Sequence, residues 1–566
     1  MKRIIATIIF LIPLIFSLRA LAAPPDAGSI MREVDEKPTV LPERPKEPSL
    51  QLVPPPPSPA QGPKVLVEGF RISGATMLSE AELQSALAGS VGRELSFAEI
   101  NQALQKLSAA YSARGYLAQT VLPPQELKDG IIQVQVVEGK FGEVLVETEP
   151  GVRLGGYRAA AFITARQAAN QPLNLNQVEK GLMFLNDLPG VLSRATLQPG
   201  SIPGTTDLNL RLEKPPLFSG SLDFDNFGSV STGEHRLSAN LNVSSPLGIG
   251  DQLNVRGLSS IDNNFGRLGY SLPLNYSGTR LGASFSYLHY ELGGDLADLN
   301  ARGNALTTGI NLSQPLLRGR ERNIGMSLGY DYRTYDNSAQ GSETSNKTIH
   351  AGTVGINAGQ FDGVWGGGYT GASLLLTAGN LDLSGNAQDL AADAVGRKAD
   401  GGYYKVSYSL TRLHNLHGNR TMLWLSLNGQ FAGSNLDSSE QMSLGGPDAV
   451  RALPPSEASG DQGLVLSTEL RHNLTPALQL FGFYDFGWIK QHATTWDGWN
   501  SPGNNPNEYD VSGAGLGISL SLPGQLSVKA TVAERLTSNP GGNANGKDSD
   551  GTKREPRFWV QAGYHF

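Results

Sequence analysis

Hydrophobic and polar residues alternate with a period of two through most of the chain after Pro215. In Leu237–Val243, Tyr404–Leu410 and Leu526–Val532, apolar side chains take turns with polar or charged ones. Successive side chains of a β-strand point to opposite faces, so each strand has one apolar and one polar face. Repeated over many strands, the alternation predicts a transmembrane β-barrel over residues 215–566, with lipid outside and water inside. About 350 residues at roughly 22 per strand and connection give about 16 antiparallel strands, more than a soluble β-sandwich contains.

Residues 65–139 follow a different pattern, which predicts a β-α-α-β-β domain. Two Ser-x-x-Glu sequences are capping boxes, which satisfy free N–H groups where helices begin. The second helix carries apolar residues at three- and four-residue spacing, as expected for one buried face. The predicted elements are strand Val65–Ile72, helices from Ser79-x-x-Glu82 and Ser96-x-x-Glu99, and strands Leu117–Leu122 and Ile131–Val137.

Residues 140–214 repeat this plan with little sequence identity, which predicts a second α+β domain. The predicted elements are strand Phe141–Val146, helix Phe162–Ala169, a helix capped by Asn174 and ending near Leu188, and strands Ala195–Leu197 and Asp207–Leu212.

The first 64 residues divide into three parts. Lys2 and Arg3 precede an apolar run that ends before an Ala-x-Ala site, so residues 1–22 are predicted to be a secretory signal peptide. Residues 26–36 predict a short helix, with Asp26 or Ser29 as its N-cap. The rest, up to residue 64, is a proline-rich, extended linker. A short helix on a long tether is either a disordered leader or a mobile element that docks elsewhere.

Composition agrees with an exported barrel. Mean hydropathy is only -0.22 and glycine is abundant at 68 residues, as expected when polar lumen residues dilute apolar lipid-facing ones. The net charge of -7, without a basic stripe, gives no support for nucleic-acid binding. The absence of cysteine from the sequence excludes disulfides, thiolate metal sites and cysteine nucleophiles.

Enzyme-like motifs are weak. Gly541 to Lys547 nearly forms a phosphate-binding loop, but Asp548 replaces the residue that should hold Mg²⁺, so we interpret this segment as an exposed barrel loop. His414 and His417, next to a Gly418-Asn419 turn signal, are interpreted as turn residues rather than metal ligands. We therefore expect no catalytic residue, no cofactor and no metal site.

One stretch of the barrel half is not explained by strands alone. Ser443–Arg471 contains a Gly445-Gly446 pair, then Val450-Arg451 between apolar neighbours, and then the acidic Asp461. We interpret its first part, about 443–463, as a loop that folds back into the pore and is anchored there by Arg451. A second lumen candidate is Phe483-x-Asp485-x-Gly487, because the period of two points Phe483 and Asp485 into the lumen.

These motifs together resemble the TpsB transporters of two-partner secretion (the ShlB/FhaC/HecB-like proteins of the BamA-type superfamily). The resemblance covers essentially the whole chain after the signal peptide and implies two periplasmic POTRA domains, 65–139 and 140–214, before the 16-stranded barrel. It rests on Gly115-Tyr116, Leu122-Pro-Pro-Gln125, Asp129-Gly130, Val137-Glu-Gly139, Leu188-Pro-Gly190, Thr206-Asp-Leu208, Asp225-Asn226-x-Gly228, Ser271-Leu-Pro273 and Gly278-x-Arg280.

The resemblance also implies residue roles. Arg451 of the sixth loop would pair with Asp485, although Ala452-Leu453 stands where the family has glycine and an aromatic residue. The N-terminal helix, with Asp26, Gly28 and Arg32, would plug the pore. The last strand, with Tyr564 and Phe566, resembles the C-terminal signal for insertion into the outer membrane.

For the family, the implied function is export of one unfolded TpsA partner, an adhesin or haemolysin, through the barrel without ATP. We expect a monomer in outer-membrane lipid that depends on periplasmic chaperones and the barrel assembly machinery, with no nucleic acid. Two alternatives stay open at this point: a BamA-type assembly factor, which usually carries more POTRA domains, and a passive porin, which lacks them.

Overall fold

A computed structural model describes the chain in six stretches. The described residues are 24–35, 64–126, 129–418, 420–500, 505–543 and 545–566. The predicted signal peptide, Asn419 of the predicted turn and most of the proline-rich linker lie outside them. The N-terminal helix, α1, is Ala27–Asp35. The Asp26 carboxylate accepts a hydrogen bond from the Ser29 backbone N–H at 2.9 Å, which makes Asp26 the N-cap residue.

The first α+β domain has the predicted order of helices. Both capping boxes form, with the serine side chain and the glutamate side chain each bonded to the other's backbone. The elements are β1 (Lys64–Val67), β2 (Gly69–Ser73), α2 (Glu80–Leu87), β3 (Arg93–Ser96), α3 (Phe97–Ala113), β4 (Ala118–Val121) and β5 (Ile131–Glu138).

The prediction of a single strand Val65–Ile72 is wrong. The strand is interrupted at Glu68, because β1 pairs antiparallel with β3 while β2 pairs parallel with β5. The main sheet therefore has the order β2-β5-β4, and β1-β3 forms a separate two-stranded ribbon.

The second domain consists of β6 (Lys140–Thr148), α4 (Gly156–Thr164), α5 (Leu175–Asn186), β7 (Leu192–Pro199) and β8 (Thr205–Glu213). Its sheet has the order β6-β8-β7. The predicted helix Phe162–Ala169 is misplaced, because α4 begins at Gly156 behind a Gly155 N-cap that offers no capping side chain. Asn174 caps α5 as expected, and its side chain accepts from the backbone N–H groups of Asn176 and Gln177.

The remainder is a closed barrel of 16 antiparallel strands. The strands are β9 (Phe218–Asp225), β10 (Arg236–Ser244), β11 (Gln252–Ser259), β12 (Asn263–Pro273), β13 (Arg280–Glu291), β14 (Arg302–Arg318), β15 (Arg322–Ala339), β16 (Ser342–Asp362), β17 (Gly368–Asp382), β18 (Gly401–His417), β19 (Thr421–Ala432), β22 (Gln462–Asn473), β23 (Leu478–Lys490), β24 (Glu508–Leu522), β25 (Leu526–Arg535) and β26 (Arg557–His565). A short helix, α6 (Ala387–Val395), lies between β17 and β18. Strands β9 and β26 close the barrel.

Alternation along the strands separates lipid from lumen. In β23, Leu480 and Tyr484 are exposed, whereas Phe481, Phe483 and Asp485 are buried on the inner face. The same holds for the last strand, where Phe558 is 64% exposed and Trp559 only 6%. None of the described helices is long and apolar enough to cross a membrane.

Two segments fill the lumen. The loop between β19 and β22, called the inward loop (433–461), begins earlier than the predicted 443 and carries a two-stranded ribbon of β20 (Met442–Ser443) and β21 (Ser459–Gly460). Helix α1 also lies inside the barrel. Its buried Ala27, Ile30, Met31 and Val34 pack with lumen-facing residues of the wall in one apolar cluster.

The second domain sits against one mouth of the barrel. Arg318, at the end of β14, forms an ion pair with Asp187 at 2.7 Å, and the ring of Phe162 meets that of Tyr276 edge-on at 5.0 Å. Arg153 donates to the backbone carbonyl of Pro246 at 2.9 Å. The second α+β domain therefore lies at the mouth where the short strand-to-strand turns are.

Candidate functional site in the barrel lumen

Arg451 is the anchor of the inward loop. Its Nε and Nη2 donate to the two carboxylate oxygens of Asp485 at 2.8 and 2.6 Å, and its backbone N–H donates to the same group at 3.1 Å. Its Nη1 also donates to Glu469. The guanidinium carbon lies 3.5 Å from the ring centroid of Phe483, so the cation is covered by an aromatic face. The structure thus brings together Arg451, Asp485 and Phe483, and adds Glu469, which the sequence did not single out.

The backbone next to the anchor is held as well. The indole N–H of Trp559 donates to the carbonyl of Arg451 at 2.8 Å, linking the loop to the last strand. Val450 is fully buried in an apolar cluster, and Gly487 faces it from the wall. A Cβ on Gly487 would lie 2.9 Å from a Val450 methyl carbon, so only glycine lets the loop approach this closely.

The other predicted loop residues shape its course. Gly445 pairs with Val450 in an isolated bridge, and Gly446 has a φ of 129°, a backbone conformation that favours glycine. Asp461 is fully buried at the foot of the loop. Its carboxylate accepts from the backbone N–H groups of Leu436 and Ala493 at 3.1 and 2.8 Å. Asp461 therefore closes the loop's two ends rather than pairing with a cation.

Two further ionic anchors hold the stem of the inward loop. Glu440 is 2% exposed and lies between Lys405, at 2.9 Å, and Arg333. Asp437 accepts from the ammonium of Lys347 at 2.8 Å. These residues were not predicted from the sequence. The one available signal is that Lys347, Lys405 and Arg333 each fall on a lumen-facing position of a strand.

Helix α1 binds to the same elements. Asp26 accepts from Lys347 at 2.8 Å and from the hydroxyl of Ser438 at 2.7 Å. Arg32 donates to the backbone carbonyls of Ser438 and Gln441 at 2.8 and 2.5 Å. A Cβ on Gly28 would lie 2.7 Å from the Ser439 Cβ, so glycine permits the helix to touch the loop. The three predicted helix residues thus meet the inward loop directly.

The model of the haemolysin secretion/activation protein family ShlB/FhaC/HecB matches residues 204–520, more than half of the chain. The chain belongs to this family. It is a two-partner secretion transporter of the outer membrane, with a POTRA region in the periplasm. A separate match to the ShlB-type POTRA domain covers residues 65–139, the bounds predicted for POTRA 1.

Curated relatives include several transporters of this class. The heme/hemopexin transporter HuxB of Haemophilus influenzae is 29% identical over 81% of this chain and 81% of its own length. The outer membrane transporter CdiB of Dickeya dadantii is 28% identical over 72% of this chain and 73% of its own length.

Solved structures share the fold. The structure of CdiB from Escherichia coli covers 96% of both chains at 22% identity, with a TM-score of 0.69. BamA from Haemophilus ducreyi, lacking POTRA domains 1–3, has a TM-score of 0.53 at 15% identity and covers 89% of this chain and all of its own.

The end of the transporter is paired into the barrel. Tyr564 is in register with Leu222 of the first barrel strand, and Phe566 exchanges two backbone hydrogen bonds with Gly220 at 2.9 and 3.0 Å. The Tyr564 and Phe566 rings stack at 6.2 Å and are about half exposed on the lipid-facing side. The predicted insertion signal therefore also closes the barrel seam.

The two segments set aside as enzyme-like make structural contacts. The Nδ1 of His414 accepts a hydrogen bond from the Arg412 guanidinium at 3.2 Å, in the part of β18 next to the periplasmic turn. Among the described residues, no group of three or more acidic or histidine side chains could hold a metal ion. The prediction of a wholly exposed loop at residues 541–548 is wrong at its end. Asp548 is 3% exposed, because Arg535 and Arg557 pair with it at 2.7 and 2.9 Å.

In POTRA 1, the predicted Val-Glu-Gly motif has a structural role. Glu138 accepts from the backbone N–H groups of Thr76 and Met77 and from the Tyr111 hydroxyl at 2.8 Å. Burial raises the pKa of Glu138, but these hydrogen bonds outweigh it, and the net pKa lies below the usual value. Glu138 therefore links the last strand, α3 and the segment before α2.

Proposed function

We propose that this transporter captures one unfolded TpsA-type protein, an adhesin or haemolysin, in the periplasm and passes it through its own barrel without ATP. The observation that carries the proposal is the content of the lumen. Helix α1 and the inward loop occupy it, and both are fastened to the wall by side chains rather than by strand pairing. Elements fastened in this way can leave without breaking the backbone ladder of the barrel.

Capture is proposed to take place on the POTRA domains. Their three-stranded sheets end in β4 and β7, and an extended segment can add to such an edge through backbone hydrogen bonds. POTRA 1 also has an apolar groove beside its sheet. The groove is lined by Val65, Phe97, Ile100, Ile132 and residues 122–125. Phe97 is 50% exposed there, which suits an unfolded chain that presents apolar side chains.

Transport is proposed to be non-enzymatic, with the partner's folding outside the cell drawing the chain outward. The transporter would act as a monomer and would depend on periplasmic chaperones and the barrel assembly machinery for its own insertion. In this scheme α1 closes the lumen at rest and leaves when the partner arrives.

Deleting residues 23–36 tests the plug assignment. Purified full-length protein and the deletion variant are compared by conductance in planar bilayers, and the deletion is expected to raise conductance. Deleting 40–53 from the proline-rich segment is the matched control, because it shortens the N-terminal segment and keeps the helix. Equal conductance of wild type and the 23–36 deletion would refute the plug role.

A secretion assay tests the transport role itself. Removing the transporter is expected to strand one large secreted protein in the periplasm and to leave other barrel proteins at normal levels. General loss of outer-membrane barrel proteins would instead indicate a BamA-type assembly factor. Loss of a small-molecule permeability, with secretion intact, would indicate a passive porin.

A further inference from the structure

Lys347 holds carboxylates from both lumen elements at once. Its ammonium is 2.8 Å from Asp26 of the α1 N-cap and 2.8 Å from Asp437 of the inward loop. The lysine is only 3% exposed. One buried cation therefore serves two anions, and one of the anions belongs to the element that is proposed to leave.

Arg236 repeats this arrangement on another part of the wall. Its Nε is 2.8 Å from Asp225, the last residue of β9, and its Nη1 is 3.8 Å from Glu33 of α1. Asp225 is 4% exposed and lies on the wall itself. When α1 departs, both Lys347 and Arg236 retain a carboxylate of the barrel or the loop.

The cation that α1 contributes behaves in the opposite way. Arg32 bonds to two backbone carbonyls and, at 3.1 Å, to the hydroxyl of Ser459, all of which are neutral acceptors. Its departure leaves no carboxylate behind without a cation. The remaining ion pair between α1 and the wall in the described residues, Arg267 with Asp35 at 2.5 Å, is partly exposed, so water can replace the partner.

Leaving a buried charge without a partner is strongly destabilising. A plug that carried off the sole counter-ion of Lys347 or Arg236 would therefore be held in place by that penalty. The second carboxylate, Asp437 at Lys347 or Asp225 at Arg236, avoids this penalty, because the cation stays paired when α1 leaves. It also places two negative charges on one ammonium while α1 is bound, which weakens the hold on Asp26 by like-charge repulsion.

We propose that Asp437 and Asp225 are release residues, which keep Lys347 and Arg236 paired after α1 leaves and so make the lumen able to open. This inference rests on the proposed plug role of α1. It predicts that removing either of the two carboxylates paired with Lys347 changes the opening of the lumen, but in opposite directions. Removing the helix carboxylate should open the lumen, and removing the loop carboxylate should close it more firmly.

The experiment measures the fraction of time that single molecules spend in the high-conductance state in planar bilayers, using full-length protein. Asp26→Asn is expected to raise this fraction and Asp437→Asn to lower it, each about fivefold or more, the lower end of typical coupling between sites. Asp225→Asn is the independent second variant. It leaves Glu33 of α1 as the carboxylate ion-paired with Arg236 and should also lower the fraction.

Asp461→Asn is the matched control for general loosening of the loop. Asp461 is a buried carboxylate of the same loop, and its recorded hydrogen bonds go to backbone N–H groups and the Gln441 amide rather than to Lys347. If Asp437 only holds the loop in place, its removal should weaken the loop and raise the fraction of time in the high-conductance state. The release role predicts that this fraction falls.

The outcomes separate the two proposals. If deleting residues 23–36 raises conductance while Asp437→Asn and Asp225→Asn raise or do not change the open fraction, the release role is overturned and the plug role stands. If the deletion leaves conductance unchanged, both are overturned. Lowered opening in Asp437→Asn, with raised opening in Asp26→Asn, supports the release role.

Discussion

Arg451→Ala should free the inward loop from the barrel wall. Asp485 is fully buried, and Arg451 supplies three of its hydrogen bonds, two of them in a fork from the guanidinium. Glu469 is less affected, because it keeps Arg471 at 2.6 Å. The main cost is therefore that of one buried carboxylate without a cation, about 3–5 kcal/mol. At about 1.4 kcal/mol per factor of ten, the equilibrium constant for docking of the loop falls by a factor of roughly 10² to 10⁴.

Two matched variants separate charge from geometry. Arg451→Lys keeps the positive charge but replaces the planar fork with a single ammonium. Its loss of docking free energy should therefore be measurable but smaller than that of Arg451→Ala. Arg451→Ala combined with Asp485→Ala removes the buried carboxylate that the single variant leaves unpaired. The pair should therefore cost less than Arg451→Ala alone, a non-additivity expected of contacting residues.

The assay follows from the absence of cysteine in the chain. A single Ala449→Cys substitution on the inward loop gives a labelling site without background, and a membrane-impermeant maleimide applied to whole cells reports when the loop leaves. Labelling should rise in Arg451→Ala, and secretion of the partner protein should fall, whereas Ala449→Cys alone provides the baseline. Unchanged labelling together with normal secretion would refute the anchor role. Equal behaviour of Arg451→Lys and wild type would refute the importance of the fork.

Three further predictions concern other contacts. Acidification should loosen POTRA 1 because the pKa of Glu138 is lowered in the fold, so its stabilisation is present at neutral pH and lost as pH falls through that lowered pKa. In Glu138→Gln, thermal unfolding should depend less on pH between neutral and acid conditions. Trp559→Phe leaves the buried carbonyl of Arg451 without its donor and should cost about 1–3 kcal/mol, seen as faster labelling of the same loop cysteine. Gly513→Ala should disturb the loop, since its Cβ would lie 2.6 Å from that of Ala452, and adding Ala452→Gly should restore part of the secretion lost.

Local and periodic features could be predicted from the sequence. The capping boxes at Ser79 and Ser96 form because each depends on residues three positions apart. The inward direction of Asp485 follows from strict alternation along one strand. The start of the helix that contains Phe162 was predicted wrongly, because the helix begins after Gly155, which has no capping side chain that could mark the start in the sequence.

Contacts between distant strands could not be predicted in the same way. Lys347 and Asp437 pair only because the strand registers place their side chains at one depth in the lumen. The two-residue alternation along a strand predicts the face on which Lys347 lies but not its height along the barrel axis. Glu440 likewise lies in a segment without strand periodicity, so its two cationic partners emerge only from the folded loop.

The unusual loop tip, Ala452-Leu453, is explained by what faces it. Gly513 of β24 leaves just enough room for the Ala452 side chain, which is 1% exposed, so the methyl group fills a space that the opposite glycine provides. Leu453 is fully buried in the apolar cluster that also contains Leu444 and Val511. These two residues are buried in apolar surroundings, whereas Arg451 next to them carries the buried charge pair. The departure from the family motif therefore changes the surface that fills the lumen and leaves the ionic anchor, which sets the loop's position, in place.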